Sequence, residues 1–439
     1  MKVALFNDSF PPIIDGVGNT VVNYARRLNN GTDEAIVVVP QHPDADDSQF
    51  SFPVVRYPGI DARKLTGYIA GNPFYPPVEK ALKERNVDIL HTHCPFASAI
   101  LSRMLSQQIG APLILTYHTK FNIDIEKVIK LKLLQEETET ILVDNISACD
   151  EIWAVSKGAG DNLRSLGYEG DYVVMENGVD IPRGRLDNSE TEKLTLEYNL
   201  PYNTPVYLFV GRLMWYKGIR IILDALAALK SQNYDFRMVF VGTGMDENEI
   251  RTYVEKLQLS DRVVFTGAVH DRRKLKALYC RSDLLLFPST FDTNGLVVRE
   301  AAACSLPAVL VKGSCAAEGT TSDRNAFLIE ENAASLAVCL ARLTGRKELI
   351  NEAGRNAAEE LYISWDDAVT KARARYEIVA ENYKRGVYKK RRHLSDEILH
   401  LAGNQIDGYN RLISQYEETR KSLEFFLNEH KNSGNHHSP

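Results

Sequence analysis

Long apolar runs are missing from this 439-residue chain. None approaches the roughly 18 residues that a membrane-spanning helix needs, which excludes a transmembrane segment. The opening MKVALFNDSF turns polar too soon to read as a secretory signal. Cysteine is scarce. The six residues Cys94, Cys149, Cys280, Cys304, Cys315 and Cys339 are scattered without CxxC spacing. That excludes a disulfide framework and argues against metal ligation; reduced, buried thiols in a cytoplasmic protein are expected. An excess of positive charge is also lacking. A net charge of -6 gives no support to nucleic acid as a partner. What is present is ordinary for a soluble enzyme, with 44% apolar and 25% charged residues. The length exceeds what one core accommodates, so two domains are expected.

The stretch from Leu284 to Pro307, LLLFPSTFDTNGLVVREAAACSLP, organises the rest. Leu284–Phe287 suits a fully buried strand. Pro288 and Ser289 end it. Asp292, Thr293 and Asn294 are cap-type residues before Gly295, and Leu296–Cys304 reads as a helix. The free N–H groups of that helix point at the turn, where an anion can sit. Asp292 and Glu300 flank the helix start with seven residues between them. Carboxylates accept hydrogen bonds from sugar hydroxyls, so the pair suits a nucleotide sugar. The plainer reading is an N-cap and a solvated glutamate, and this segment alone favours it.

Earlier in the chain, short strands read at Val3–Phe6, Ala35–Val39, Val54–Tyr57, Asp88–Thr92, Leu113–Tyr117, Ile152–Val155 and Tyr172–Met175. Most are separated by helix-length segments, which argues an α/β fold with a parallel, doubly wound sheet. After the first strand, Gly16 and Gly18 read as a turn that lets backbone N–H groups approach a phosphate or sugar, with a helix over Thr20–Leu28. The third glycine of GxGxxG is lacking. His91, His93 and His118 sit at strand ends, where ligands of such sheets bind. No carboxylate pattern supports a metal there, and His118 is the candidate site residue. Ile60–Ala70, with Arg63 and Lys64, and Ile125–Leu134, with Lys127 and Lys130, read as basic amphipathic helices. Such helices lie on anionic membranes; a core face backed by a solvated basic face is the commoner use.

Asn177–Asp180 is a turn, and Ile181 to about Pro205 reads as a polar interdomain linker. A second alternation follows, with strands at Val206–Val210, Met238–Val241, Val263–Thr266, Leu284–Phe287, Ala308–Val311 and Ala326–Ile329. The first of these runs into GRLMWYKG and a helix over Ile219–Lys230. Arg212 and Lys217 in that loop, together with a helix N-terminus, suit a pyrophosphate, although solvated loop cations would look the same. Gly242 suits close backbone approach to a ligand, and the backbone of Val269 is placed to meet a base edge. Ser364–Asp367 is a capping box that opens a helix to about Tyr383. Beyond it, six Lys or Arg fall between Lys384 and Arg392, Lys389 and Arg391 among them, ahead of an interrupted apolar stripe. Packing on the enzyme itself is the favoured reading for that stripe, with a membrane-surface helix as the sharper one. The closing KNSGNHHSP reads as disordered.

Taken in order, PPIIDGVGNT, HTH, TYHT, AVSKG, ENGVD, VGRLMWYKG, VGTG, FTGAV and FPSTFDTNGLVVREAAACSLPAV make the chain, over about residues 1–385, resemble the family 4 retaining glycosyltransferases. Asp292 stands where that family has the first glutamate of its E-x7-E signature. Ala326 stands where glycine is usual, and Cys304 and Ser305 replace a small-residue and glycine pair. The resemblance implies a GT-B fold: two Rossmann-like doubly wound domains facing a central cleft, plus a C-terminal helical extension. Residues 1–180 would form the acceptor-binding domain, completed by a crossover helix at about 365–385. Residues 200–364 would form the nucleotide-sugar domain and 386–439 the extension. It further implies that Arg212 and Lys217 hold the donor diphosphate, that Gly16 lets the backbone approach it, and that Glu300 binds the ribose. Asp292 with the backbone of Asn294, Gly295 and Leu296 would bind the hexose, and His118 would lie beside the reacting carbon.

No metal is expected. The implied activity is retaining transfer of a hexose, glucose from UDP-glucose, onto a glycerolipid such as diacylglycerol or a glycosyl-diacylglycerol. The DTxG form of the motif and the basic amphipathic segments favour that acceptor, on the inner face of the cell membrane. The alternatives are a polysaccharide or lipid-linked oligosaccharide acceptor, a nucleotide-sugar epimerase and a non-catalytic nucleotide-sugar-binding protein.

Overall fold

The structure is a computed structural model that describes residues 1–13, 15–61, 69–121 and 132–388. The candidate membrane residues Arg63, Lys64, Lys127, Lys130, Lys389 and Arg391 therefore lie outside the described residues, as does the tail. The chain clusters into two compact units. One comprises Met1–Leu115, Asp144–Glu151 and the chain from Ile378 on; the other comprises Thr116–Val143 and Ile152–Glu377.

The first alternation yields β1 (Lys2–Phe6), β2 (Glu34–Pro40), β3 (Val54–Tyr57), β4 (Gly59–Asp61), β5 (Ile69–Gly71), β6 (Ile89–Thr92), β7 (Leu113–Tyr117), β8 (Glu151–Ala154) and β9 (Val173–Val174). Seven of these form one sheet in the order β3-β2-β1-β6-β7-β8-β9. Its pairings, such as Val3 with Ala35 and Ile89, are parallel. The second alternation yields β10 (Val206–Val210), β11 (Arg237–Val241), β12 (Val263–Phe265), β13 (Leu284–Phe287), β14 (Ala308–Val311) and β15 (Phe327–Ile329). These form a parallel sheet in the order β12-β11-β10-β13-β14-β15. Both sheets are Rossmann-like. In each, the order reverses beside the first strand, and the loops leaving β1 and β6, and β10 and β13, border the crevice where such sheets bind ligands.

The strands form where they do because they are apolar on both faces. Every residue of VYLFV in β10 and of LLLF in β13 is buried, as a parallel strand covered by helices on both sides requires. The helix Ile219–Ser231 turns Ile219, Ile222, Leu223, Leu226 and Leu229 toward that sheet at helical spacing. The capping box forms as expected: Ser364 Oγ accepts from the Asp367 N–H at 3.0 Å, at the start of the helix Trp365–Lys384.

Four expectations need correction. The helix after β1 spans Gly16–Leu28, so Gly16 and Gly18 lie in its first turn rather than in a loop. The carboxylate of Asp15 makes this possible by accepting from the Gly18 N–H at 2.6 Å. Ile60–Ala70 is not one helix, because Ile60–Ala70 and Asp61–Ile69 are antiparallel strand partners in β4 and β5. The β-branched Ile60 and Ile69 fit a strand better than the spacing of the apolar residues fits a helix. The segment after Ile181 is no bare linker. It carries the helix Asn188–Thr195 and a 3-10 turn over Leu196–Tyr198, tied by ion pairs of Glu190 with Arg273 and of Glu197 with Lys274. Finally, Asp292 does not cap the motif helix. The N-cap of Leu296–Ala303 is Gly295, in the left-handed region at φ 58°, with no side-chain cap.

Candidate active site

In the second unit, the loop Gly211–Gly218 after β10 and the loop Pro288–Asn294 after β13 meet through charge. Lys217 Nζ lies 2.5 Å from Asp292 Oδ1, and Ser289 Oγ donates to Asp292 Oδ2 at 2.6 Å. The lysine is buried, and its ammonium sits within 6.0 Å of the rings of Tyr216, Phe287 and Phe291. An ammonium walled by aromatic faces and one carboxylate is poorly hydrated, so it will bind an incoming anion strongly. The two loops can approach this closely because of Gly218. At φ 77°, a Cβ there would stand 2.2 Å from the Pro288 carbonyl oxygen. Arg212, five residues before Lys217, is exposed, and its side chain has no hydrogen bond or ion pair among the described residues.

The helices that start at these loops, Ile219–Ser231 and Leu296–Ala303, both begin at a left-handed glycine without a side-chain cap. Their first N–H groups remain available to an anion. Asn294, just ahead of the second helix, has a buried side-chain amide with no hydrogen-bond partner at either atom. With Gly295 and Arg299 it lines a small pocket shared with Ser156, Cys315 and Glu318. Leu296 opens the helix.

Just over one turn along the same helix, Glu300 is nearly enclosed. Tyr279 Oη donates to its Oε2 at 2.8 Å, and Arg272 lies 3.5 Å from its Oε1. Burial raises the carboxyl group above its usual range, while the Tyr279 hydroxyl and the Arg272 charge act the other way. Arg272 also reaches Asp180 at 3.3 Å. Neither Tyr279 nor Arg272 was foreseen; the approach of the helix Arg272–Arg281 to the motif helix leaves no trace in local sequence spacing.

His118 follows β7 and is buried, and burial pushes its imidazole pKa down to about 3, so the ring is neutral. Its backbone is tied to the motif loop: Thr293 Oγ1 donates to the His118 carbonyl at 2.6 Å, and two residues on, Lys120 Nζ donates to the Thr290 carbonyl at 3.1 Å. His91 and His93 lie in the first unit, with ring centroids 4.1 Å apart and planes tilted by 36°, and both are edge-on to Tyr24.

Gly242 serves packing first, since a Cβ there would stand 2.1 Å from the Gly211 carbonyl oxygen. Val269 lies in the loop after β12 and packs on the core of the second unit. Gly16, in the first unit, is different. A Cβ there would meet nothing within 4 Å.

The family model described as Glycosyltransferase Family 4 matches residues 14–183, and that described as Glycosyl transferases group 1 matches residues 191–360. A GDP-mannose-dependent alpha-mannosyltransferase of Corynebacterium glutamicum is 27% identical over 70% of this chain and 72% of its own length. An alpha-monoglucosyldiacylglycerol synthase of Streptococcus pneumoniae is 22% identical over 70% of each chain. The crystal structure of Anabaena HepE in complex with UDP superposes with a TM-score of 0.71 at 19% identity, covering 86% of this chain and all of that one. The chain is a GT-B glycosyltransferase. It belongs to family 4, and its activity is that of a hexosyltransferase.

Proposed function

We propose that this enzyme transfers glucose from UDP-glucose, with retention of configuration and without a metal, to a glycerolipid acceptor such as diacylglycerol. The observation that carries the reading is the Lys217–Asp292 pair beside two uncapped helix starts. A donor diphosphate replaces Asp292 as the anion on Lys217 and draws in Arg212. The released Asp292 carboxylate then accepts from hexose hydroxyls. Lys217, Arg212 and the helix starts offset the charge that builds on the leaving diphosphate, which is the role a metal would otherwise fill. The neutral His118 donates to or accepts from the hexose beside the reacting carbon. Glu300 takes the ribose hydroxyls. Gly16, in the first unit, leaves room for a ligand, since a Cβ there would meet nothing within 4 Å.

The lipid acceptor is supported by the diacylglycerol-acting relative and by the basic run at 384–392. Among the described residues no helix is long and apolar enough to cross a membrane, which suits peripheral attachment to the inner face. The mannosyltransferase relative favours a second donor reading, GDP-mannose.

The test is nucleotide release from a panel of UDP- and GDP-sugars, with and without vesicles that contain diacylglycerol or monoglucosyl-diacylglycerol. Vesicle-dependent turnover of UDP-glucose is expected. Turnover that ignores lipid and responds to a soluble glycan would move the acceptor to a polysaccharide. Turnover of GDP-mannose alone would replace the donor.

A further inference from the structure

Lys217 is carried on a single 3-10 turn, Trp215–Lys217, whose N-cap residue Met214 offers no side-chain bond. The Lys217 N–H donates to the Met214 carbonyl at 3.0 Å and the Gly218 N–H to the Trp215 carbonyl at 3.1 Å. These bonds close the turn without fixing where it points. The loop after β11 does that. The Leu213 N–H donates to the Thr243 carbonyl at 3.0 Å, and the Asp246 N–H returns a bond to the Leu213 carbonyl at 3.3 Å. The Trp215 N–H then donates to Asp246 Oδ2 at 2.8 Å. On the helix that follows, Glu247–Lys256, Glu249 Oε2 accepts from the Trp215 indole N–H at 3.0 Å. The Arg220 guanidinium lies 4.5 Å from the Trp215 ring and 4.6 Å from that of Tyr253. Two residues before Lys217, the chain is thus held at both backbone and ring.

Asp246 stands at the N-cap position of Glu247–Lys256, where an aspartate ordinarily accepts from its own helix. Here its side chain makes no cap bond and turns to the Trp215 N–H instead. The stabilisation that a cap brings to that helix is given up for the loop that holds Lys217. A carboxylate makes a stronger hydrogen bond than a neutral acceptor. A cation that must meet a leaving group has to be held within about 0.5 Å of its productive place. We propose that Asp246 is a positioning residue for the donor diphosphate: through the Trp215 N–H it sets where the 3-10 turn holds the Lys217 ammonium. This role rests on Lys217 being the diphosphate cation. Asp246 itself acts through the turn and not on the substrate.

The test is a double-mutant cycle on the full chain: UDP and GDP are titrated by calorimetry into the unaltered protein, Asp246→Ala, Lys217→Ala and the double variant, with a thermal melt of each. For whichever diphosphate binds tighter, Asp246→Ala should weaken affinity about fivefold. Asp246→Asn, which keeps an oxygen for the Trp215 N–H and loses the charge, should recover most of that. In the Lys217→Ala background, Asp246→Ala should change affinity by less than about twofold, because the ammonium it would misplace is gone. A loss that is absent, that repeats in full without Lys217, or that Asn leaves uncorrected overturns the proposal. Strong weakening by Lys217→Ala with an additive Asp246 effect removes only the positioning role and leaves the diphosphate reading standing. Unweakened binding in Lys217→Ala removes that reading and the positioning role with it. Should Asp246→Ala fail to fold, or Lys217→Ala bind too weakly to titrate, Asp246→Ser decides. Serine is a good N-cap but ends one bond short of the Trp215 N–H, so the melting temperature should hold or rise while affinity falls about fivefold. Unchanged affinity in Asp246→Ser overturns the proposal.

Discussion

Two strand-to-helix turns of this protein look alike in sequence and are opposite in chemistry. After β1, the helix Gly16–Leu28 is capped from within, because Asp15 places a carboxylate on the Gly18 N–H at 2.6 Å. After β13, the helix Leu296–Ala303 has no side-chain cap, because the nearby carboxylate of Asp292 is taken by Lys217. The first helix start already holds an anion; the second has its anion held aside by a displaceable cation. A cap is a stability device, and an uncapped start next to a buried lysine is a binding device.

The sharpest break in that comparison is Lys217→Ala. Removing the leaving-group cation should lower turnover on the order of 10²–10³-fold, the loss seen when one transition-state contact is deleted. It is measured as kcat and kcat/KM for nucleotide release, and near-normal turnover would sink the phosphate assignment. Asp15→Ala should do the reverse, costing about 1 kcal/mol of stability with turnover nearly kept. A thermal melt should show that as a drop of roughly 2–4 °C for a domain of this size.

Glycines sharpen the contrast. Gly218→Ala forces a Cβ against the Pro288 carbonyl at a positive φ and should destabilise by at least about 1–2 kcal/mol. Gly16→Ala is helical and sterically open, so denaturant unfolding should show unchanged or slightly higher stability, by about 0.4–1 kcal/mol. A fall in turnover without loss of stability in Gly16→Ala would then report ligand approach alone.

The smallest effects concern pH. His118 has its folded pKa depressed to about 3, below its unfolded value of about 6.5. Its contribution to stability is therefore full above about pH 6.5 and is lost as pH falls from there toward 3. No inflection from His118 is expected in the rate profile near neutrality, and one that vanished in His118→Ala would contradict its buried, neutral state. Glu300 has a raised pKa and must be ionised to accept two ribose hydroxyls. Donor KM should therefore rise as pH falls through that raised value. Tyr279→Phe removes a hydrogen bond that favours the carboxylate, so the rise should begin at higher pH in this variant; an unmoved acid limb would separate Glu300 from donor binding.

Much of this was legible in the chain. The strands of both sheets follow from apolar runs such as LLLF and VYLFV, because a parallel strand covered on both faces has no polar positions to confuse its reading. The pair Asp292 and Glu300 was legible because eight positions along one turn and helix is a local spacing. Lys217 was legible as a loop cation, but its partner was not. The separation of Lys217 from Asp292, or of Thr293 from the His118 carbonyl, is set by which strands lie side by side. Sequence also misjudged the ends of Ile60–Ala70, where the spacing of apolar residues suggested a helix and strand pairing won.

The sequence by itself determined the two alternations, the buried strands and the residue types that face the crevices, since these rest on side-chain polarity and on contacts within a few residues. Only the tertiary structure decided that Asp292 is a partner of Lys217 rather than a cap, and that Glu300 rests on Tyr279 and Arg272. Each of those joins segments whose meeting depends on sheet order and helix packing, and no local spacing encodes either.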